Sequence, residues 1–171
     1  MSPQTKYIKG RKYRVKKDGA SLRGRQNAVS LAKGETITCL NVFQVHKNKE
    51  KQIVIWGDAN GKQIMTDCSF RPYAGSDSYL PAEGYLDLVY EPTAKERAKL
   101  ETAIKLLRAV AEPVGPIHGA WDVIFDMEAL LKGRQTLLEG PDRTSEAAAK
   151  IILGWADDTI KNDKKRKKMA K

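Results

Sequence analysis

The residues of this chain best suited to bind a metal are two histidines, two cysteines and scattered carboxylates, and the cysteines are also candidate nucleophiles. His46 and His118 stand far apart, and Cys39 and Cys68 form no Cys-x-x-Cys pair, so the four ligands of a structural zinc site are not assembled in sequence. His118, Asp122 and Asp126 recur every four residues and would share a helix face if the helix began early enough. The simpler reading places His118 in the Pro-Gly loop before that helix, with Asp122 and Asp126 complementing its positive N-terminus. Cys39 and Cys68 lie in apolar, strand-like runs, where a thiol is small, buried and inert. A disulfide is the alternative if those strands pair. Gly10, Gly19, Gly24 and Gly34 read as turn glycines without the spacing of a phosphate-cradling loop, and no Gly-x-Ser-x-Gly elbow occurs. Asp157 and Asp158 sit near a helix end, where solvation is the simpler explanation. No catalytic residue, metal site or cofactor is expected, and the chain is read as a non-enzyme.

Charge is the stronger signal. The chain carries 31 Lys/Arg against 21 Asp/Glu, a net charge of +10. Residues 1–75 hold 15 basic and 5 acidic side chains, residues 76–160 hold 9 and 15, and residues 161–171 hold 7 and 1. Positive potential is therefore concentrated on one module and one end. Lys9, Arg11, Lys12, Arg14, Lys16 and Lys17 form a dense run. Arg23 and Arg25 sit in a polar excursion. Lys47, Lys49 and Lys51 alternate with polar residues in an expected hairpin loop, His46 to Lys51. Lys164, Lys165, Arg166, Lys167 and Lys168 crowd the C-terminal tail. Lys and Arg on loops meet phosphates without sequence readout, which makes these residues candidates for nucleic-acid contact, DNA or RNA. Tyr7, Tyr13 and Tyr73 are candidates for stacking on bases if they face outward. The competing reading is a solvated strand face with a solubility tail.

The elements that must position these charges follow from the pattern. Lys12 to Lys16 alternates and predicts a first strand. Asp18-Gly19 is a turn, and Ala20 to Ser30 reads as a long excursion anchored by Leu22. Lys33-Gly34-Glu35 turns into Thr36 to Val45, a long run rich in β-branched and aromatic residues. Gln52 to Trp56 and Gln63 to Phe70 follow, joined across Asn60-Gly61, a dipeptide suited to the positive φ of tight hairpins. These strands cannot bury an apolar face alone, so the preceding residues are expected to join them.

Leu22-Arg23, Val29-Ser30-Leu31 and Lys33-Gly34-Glu35-Thr36-Ile37-Thr38-Cys39-Leu40, with the later Asn60-Gly61-Lys62, resemble the start and distal hairpin of a bacterial Src-homology-three-like domain. The resemblance covers residues 13–73 and implies a small barrel. The tryptophan such domains place after the hairpin is replaced by Ile64 or Met65, while Trp56 stands before the turn. No binding residue is carried over.

Residues 76–92 read as a linker, with a further strand at Tyr85 to Tyr90 that closes the barrel or pairs with its edge. From Thr93 the period changes to that of helices. Thr93 and Glu96 form a capping box, and Leu100, Ala103, Ile104, Leu107, Val110 and Ala111 form one stripe stopped by Pro113 and Pro116. Ala120 to Leu138 predicts a second, most buried helix with Trp121 and Phe125 among its apolar residues. A third, capped by Asp142 or Thr144, carries Ile152 and Trp155 on its apolar face. Lys161 onward is expected to be a flexible basic tail, helical only against an acidic partner, and otherwise free to fold back on the acidic module.

The expected fold is thus α+β: a small antiparallel β-barrel over residues 1–75, a linker over 76–92, a three-helix bundle over 93–160 and a tail over 161–171. No window reaches the roughly 20 apolar residues of a membrane span, and Met1 to Lys17 lacks the apolar core of a secretory leader. The expected location is the cytoplasm, or the nucleoid or nucleus when bound to nucleic acid. The favoured function is a non-catalytic nucleic-acid-binding accessory protein whose helical module engages a protein partner, with no membrane involvement. The alternatives are an adaptor or inhibitor docking on an acidic partner surface, and a wall- or peptide-binding module.

Overall fold

The computed structural model describes residues 7–23, 28–45, 48–64, 73–74, 85–140 and 142–170. It is a mixed α+β structure that divides into two compact units, Met1–Val89 and Tyr90–Lys171. Among the described residues the first unit holds seven strands in two antiparallel sheets, not closed into a barrel. One sheet has the order β5-β4-β1-β7, from Asn48–Gly57, Thr36–Val45, Lys12–Val15 and Leu86–Leu88. The other has the order β3-β2-β6, from Ala28–Leu31, Ala20–Arg23 and Tyr73–Ala74.

β1 is the strand that organises the first unit. It pairs with β4 on one side, Tyr13 opposite Ile37, and with β7 on the other, Tyr13 opposite Leu88. Strand residues alternate between faces. Tyr13 and Val15 point into a core with Ala20, Leu22, Leu31, Ile37, Cys39, Val54 and Trp56. Trp56 is fully buried, and the rings of Tyr7 and Tyr13 meet it edge-on at 5.1 and 5.7 Å between centroids. The segment Ala20 to Ser30, expected as an excursion, instead supplies the two antiparallel strands β2 and β3, with Leu22 opposite Val29. Leu22 is the anchor it was expected to be, with no exposed surface. The hairpin across Asn60-Gly61 forms, with Gly61 at φ 84° and Asp58 Oδ1 accepting the Asn60 and Lys62 backbone N–H groups. Of the strand expected at Gln63 to Phe70, only Gln63 and Ile64 are described; Gln63 forms a bridge to Gly57, and the rest lies outside the described residues. The strand expected in the linker is β7, which belongs to the edge of the first sheet.

The second unit is three helices, α1 (Ala94–Val114), α2 (Ala120–Leu131) and α3 (Ser145–Met169). Their shared core is Leu100, Ala103, Met127, Leu130, Ala149, Ile152 and Ala156. Thr93 caps α1, its Oγ1 accepting the Glu96 N–H at 3.2 Å. Pro113 does not stop α1 but sits inside its last turn, and the helix ends at Gly115, at φ 100°. α2 ends seven residues before the expected Leu138. Gly133, at φ 67°, turns the chain, and the segment after it is held back by Asp126, whose Oδ1 accepts the Leu137 N–H at 2.6 Å. Asp126 is therefore a buried brace in mid-helix, not a partner of the helix N-terminus, and burial raises its pKa above the ordinary carboxylate value. Lys99 bridges α1 to Asp157 of α3 at 3.0 Å, and Arg108 bridges α1 to Glu128 of α2.

Two further expectations are corrected here. Trp121 and Trp155 are only half-buried, and Phe125 is 52% exposed, so α2 is not sheathed on all sides. The fully buried tryptophan of the protein is Trp56, in the β unit. Residues 161–169, expected as a flexible tail, are the last turns of α3. The reason is local. No Gly or Pro follows Gly154, the residues there favour helix, and Asp163 pairs with Arg166 at 3.5 Å and Lys167 at 3.1 Å, one turn on. Cations in a last turn also complement the negative end of the helix dipole.

Candidate nucleic-acid interface

The basic residues singled out in sequence fall into three groups. The first is built into the fold. Arg14, on the face of β1 opposite Tyr13 and Val15, and Lys16, just past the end of the strand, are 1% and 7% exposed. Asp87 lies across from Arg14 on β7, and its carboxylate pairs with Lys16 at 3.5 Å. Arg14 and Lys16 are thus not available to phosphates, which corrects the expectation for both. Arg14 stands on a central strand, between β4 and β7, where its side chain has cross-strand neighbours on both sides. Arg11 is half-buried and donates from Nη2 to the Val89 carbonyl at 3.4 Å. Tyr13 is equally withdrawn from base stacking, since its ring is in the core and its hydroxyl accepts the Ile8 N–H at 3.0 Å.

The second group is Lys9, Lys12 and Lys17 of the β unit. Lys9 and Lys17 are exposed and Lys12 is half-buried. The Lys17 ammonium stands 5.7 Å from the centroid of the Tyr85 ring, within cation–π range. Lys49 and Lys51, expected in a loop, belong by their backbone to β5, and Arg23 belongs to β2. Arg25, Lys47, His46 and Cys68 lie outside the described residues. Cys39 is a free, buried thiol whose pKa is pushed up to about 11 by burial, which keeps it protonated and unreactive at neutral pH.

The third group is the end of α3. Lys164, Lys165, Arg166, Lys167 and Lys168 are all exposed, and so is Lys161, which precedes them on the helix. Core packing by α3 ends at Ala156, so the helix carries these side chains beyond its own hydrophobic contacts. Arg166 and Lys167 are engaged with Asp163. Reading the segment as a coil hid this arrangement. The signal was present as the helical spacing of Lys161, Lys164, Lys165 and Lys168.

No metal cluster assembles among the described residues. His118 instead serves the start of α2, its Nδ1 accepting the Ala120 N–H at 3.0 Å. Exposed apolar side chains also mark the second unit: Val114 at 57%, Ile117 at 89% and Phe125 at 52% exposure. No helix among the described residues is long and apolar enough to cross a membrane. No protein-family model, curated protein or solved structure matches this chain.

Proposed function

We propose that this chain is a non-catalytic, intracellular nucleic-acid-binding accessory protein. The observation that carries the reading is the exposed basic end of α3, an ordered helix whose cations extend past the core of its unit. An ordered cation row meets phosphates at a lower entropic cost than a coil that must first fold. Lys9 and Lys17 on the β unit add positive potential. In this proposal the β unit is a small barrel of the Src-homology-three-like kind. Its support is one core drawn from both sheets, with Tyr13, Ile37 and Trp56 from the first and Leu22 and Leu31 from the second. The helices form a bundle around their own shared core and engage a protein partner.

A second reading, an adaptor docking on another protein, has its own support in the exposed Val114, Ile117 and Phe125. Large exposed apolar side chains are candidates for contact with a partner. Titration of fluorescent duplex and single strands with the intact protein at several salt concentrations decides between the readings. Binding at low salt that weakens linearly on a log–log scale is expected for phosphate contact. No binding at low salt would transfer the proposal to the adaptor.

A further inference from the structure

The basic end of α3 is more ordered than a charge count conveys. Lys161, Lys164, Lys165 and Lys168 occupy positions i, i+3, i+4 and i+7 of one continuous helix, which places them in a single stripe along one face. All four are exposed. At about 1.5 Å of rise per residue the stripe is about 10.5 Å long. The other two cations of the segment, Arg166 and Lys167, stand off this stripe and are paired with Asp163. One acid therefore draws in the flanking cations and leaves a row of lysines. Asp157, a turn earlier, is bound to Lys99, and exposed Asp158 marks the acidic boundary of the row.

We infer that this stripe is a contact surface for the sugar–phosphate backbone of a nucleic-acid duplex, read without regard to base sequence. The inference rests on the nucleic-acid reading above and deepens it. Three features support the choice of occupant. Duplex DNA carries about one negative charge per 1.7 Å of its axis, a dense anionic surface that a stripe of four lysines about 10.5 Å long can neutralise. Lysine is a flexible point charge, suited to phosphates and not to the bidentate readout of guanine edges, and the arginine of this segment is held by Asp163. A helix that lies in a membrane interface needs an apolar face opposite its charges, and residues 161–170 offer only Ile-free, Leu-free sequence with Met169 as the single large apolar side chain.

The test compares two variants of the full chain. One changes Lys161, Lys164, Lys165 and Lys168 to Gln; the other changes Arg166 and Lys167 to Gln. Circular dichroism confirms that both keep their helix. Each is titrated with a fluorescent duplex of random sequence from 50 to 200 mM salt, beside the intact protein. The stripe variant should lose about 3.6 units of the log–log slope, at about 0.9 per phosphate, and so lose about 150-fold less affinity than the intact protein across that range. The Arg166/Lys167 variant should lose about one unit or less. If the intact protein binds duplex and the stripe variant keeps its slope, the stripe is wrong while the nucleic-acid reading stands. Equal slope loss per charge in the two variants also overturns the stripe, since any cation would then serve. If the intact protein binds no duplex but binds vesicles rich in anionic lipid through the same lysines, both the stripe's assignment and the nucleic-acid reading fail.

Discussion

The basic run on β1 and the basic run on α3 look alike in sequence and differ in the fold. Arg11 to Lys17 and Lys161 to Lys168 are both dense in Lys and Arg. On β1 the alternation of a strand sends Tyr13 and Val15 to one face and Arg14 to the other, and all three are buried. Arg14 and Lys16 end buried, with Asp87 beside them. On α3 the helix has left its packing partners, and the same residue types stand in solvent. A charge run is therefore evidence of a surface only once its element is placed. The charges of Arg14 and Lys16 belong to folding, and the exposed ones of α3 remain for a partner.

Arg14→Ala should have the largest effect on stability. It removes a large, fully buried side chain and leaves a cavity, at a cost of about 3 kcal/mol by chemical denaturation. Lys164→Ala, on the other run, should stay within about 0.5 kcal/mol. Equal costs at the two sites would erase the contrast. Asp87→Ala comes next. It removes the carboxylate 3.5 Å from the buried Lys16 ammonium, for about 1–3 kcal/mol, and should leave the salt slope of duplex binding untouched. A changed slope would show that the β1 charges reach the ligand after all. Asp163→Asn has the smallest effect on stability, about 0.3–0.5 kcal/mol for each of its exposed helix pairs. It frees Arg166 and Lys167, so duplex affinity at low salt should rise; a fall would mean that Asp163 does more than draw those cations aside.

Much of this architecture was legible in the sequence where the periodicity is strong and the turn chemistry specific. Thr36 to Val45 alternates and is β4, Asn60-Gly61 turns, and Thr93 with Glu96 begins α1. β2 and β3 were missed because Ala20, Ser21, Ala28 and Ser30 are small, and small residues give little alternation to read. The end of α2 was missed because Thr136, Leu137 and Leu138 prolong an apolar pattern. What breaks the helix is the left-handed Gly133 and a side-chain bond from Asp126 to a backbone eleven residues on. The fates of Arg14 and Lys16 were out of reach of local pattern altogether, since they depend on β7, a strand more than seventy residues away in the chain. At the candidate interface the charges were visible as composition. Their arrangement into a stripe appeared only once the segment was known to be helical.

The most direct measurement of this division is lysine acetylation of the intact protein, followed residue by residue by mass spectrometry, with and without a nucleic-acid duplex at low salt. In the free protein Lys16 should react far more slowly than Lys161, Lys164, Lys165 and Lys168. Adding duplex should slow those four and leave Lys16 as it was. If Lys16 reacts as fast as the α3 lysines in the free protein, or if duplex leaves the α3 lysines unprotected, the assignment of one basic run to the fold and the other to a phosphate partner is contradicted.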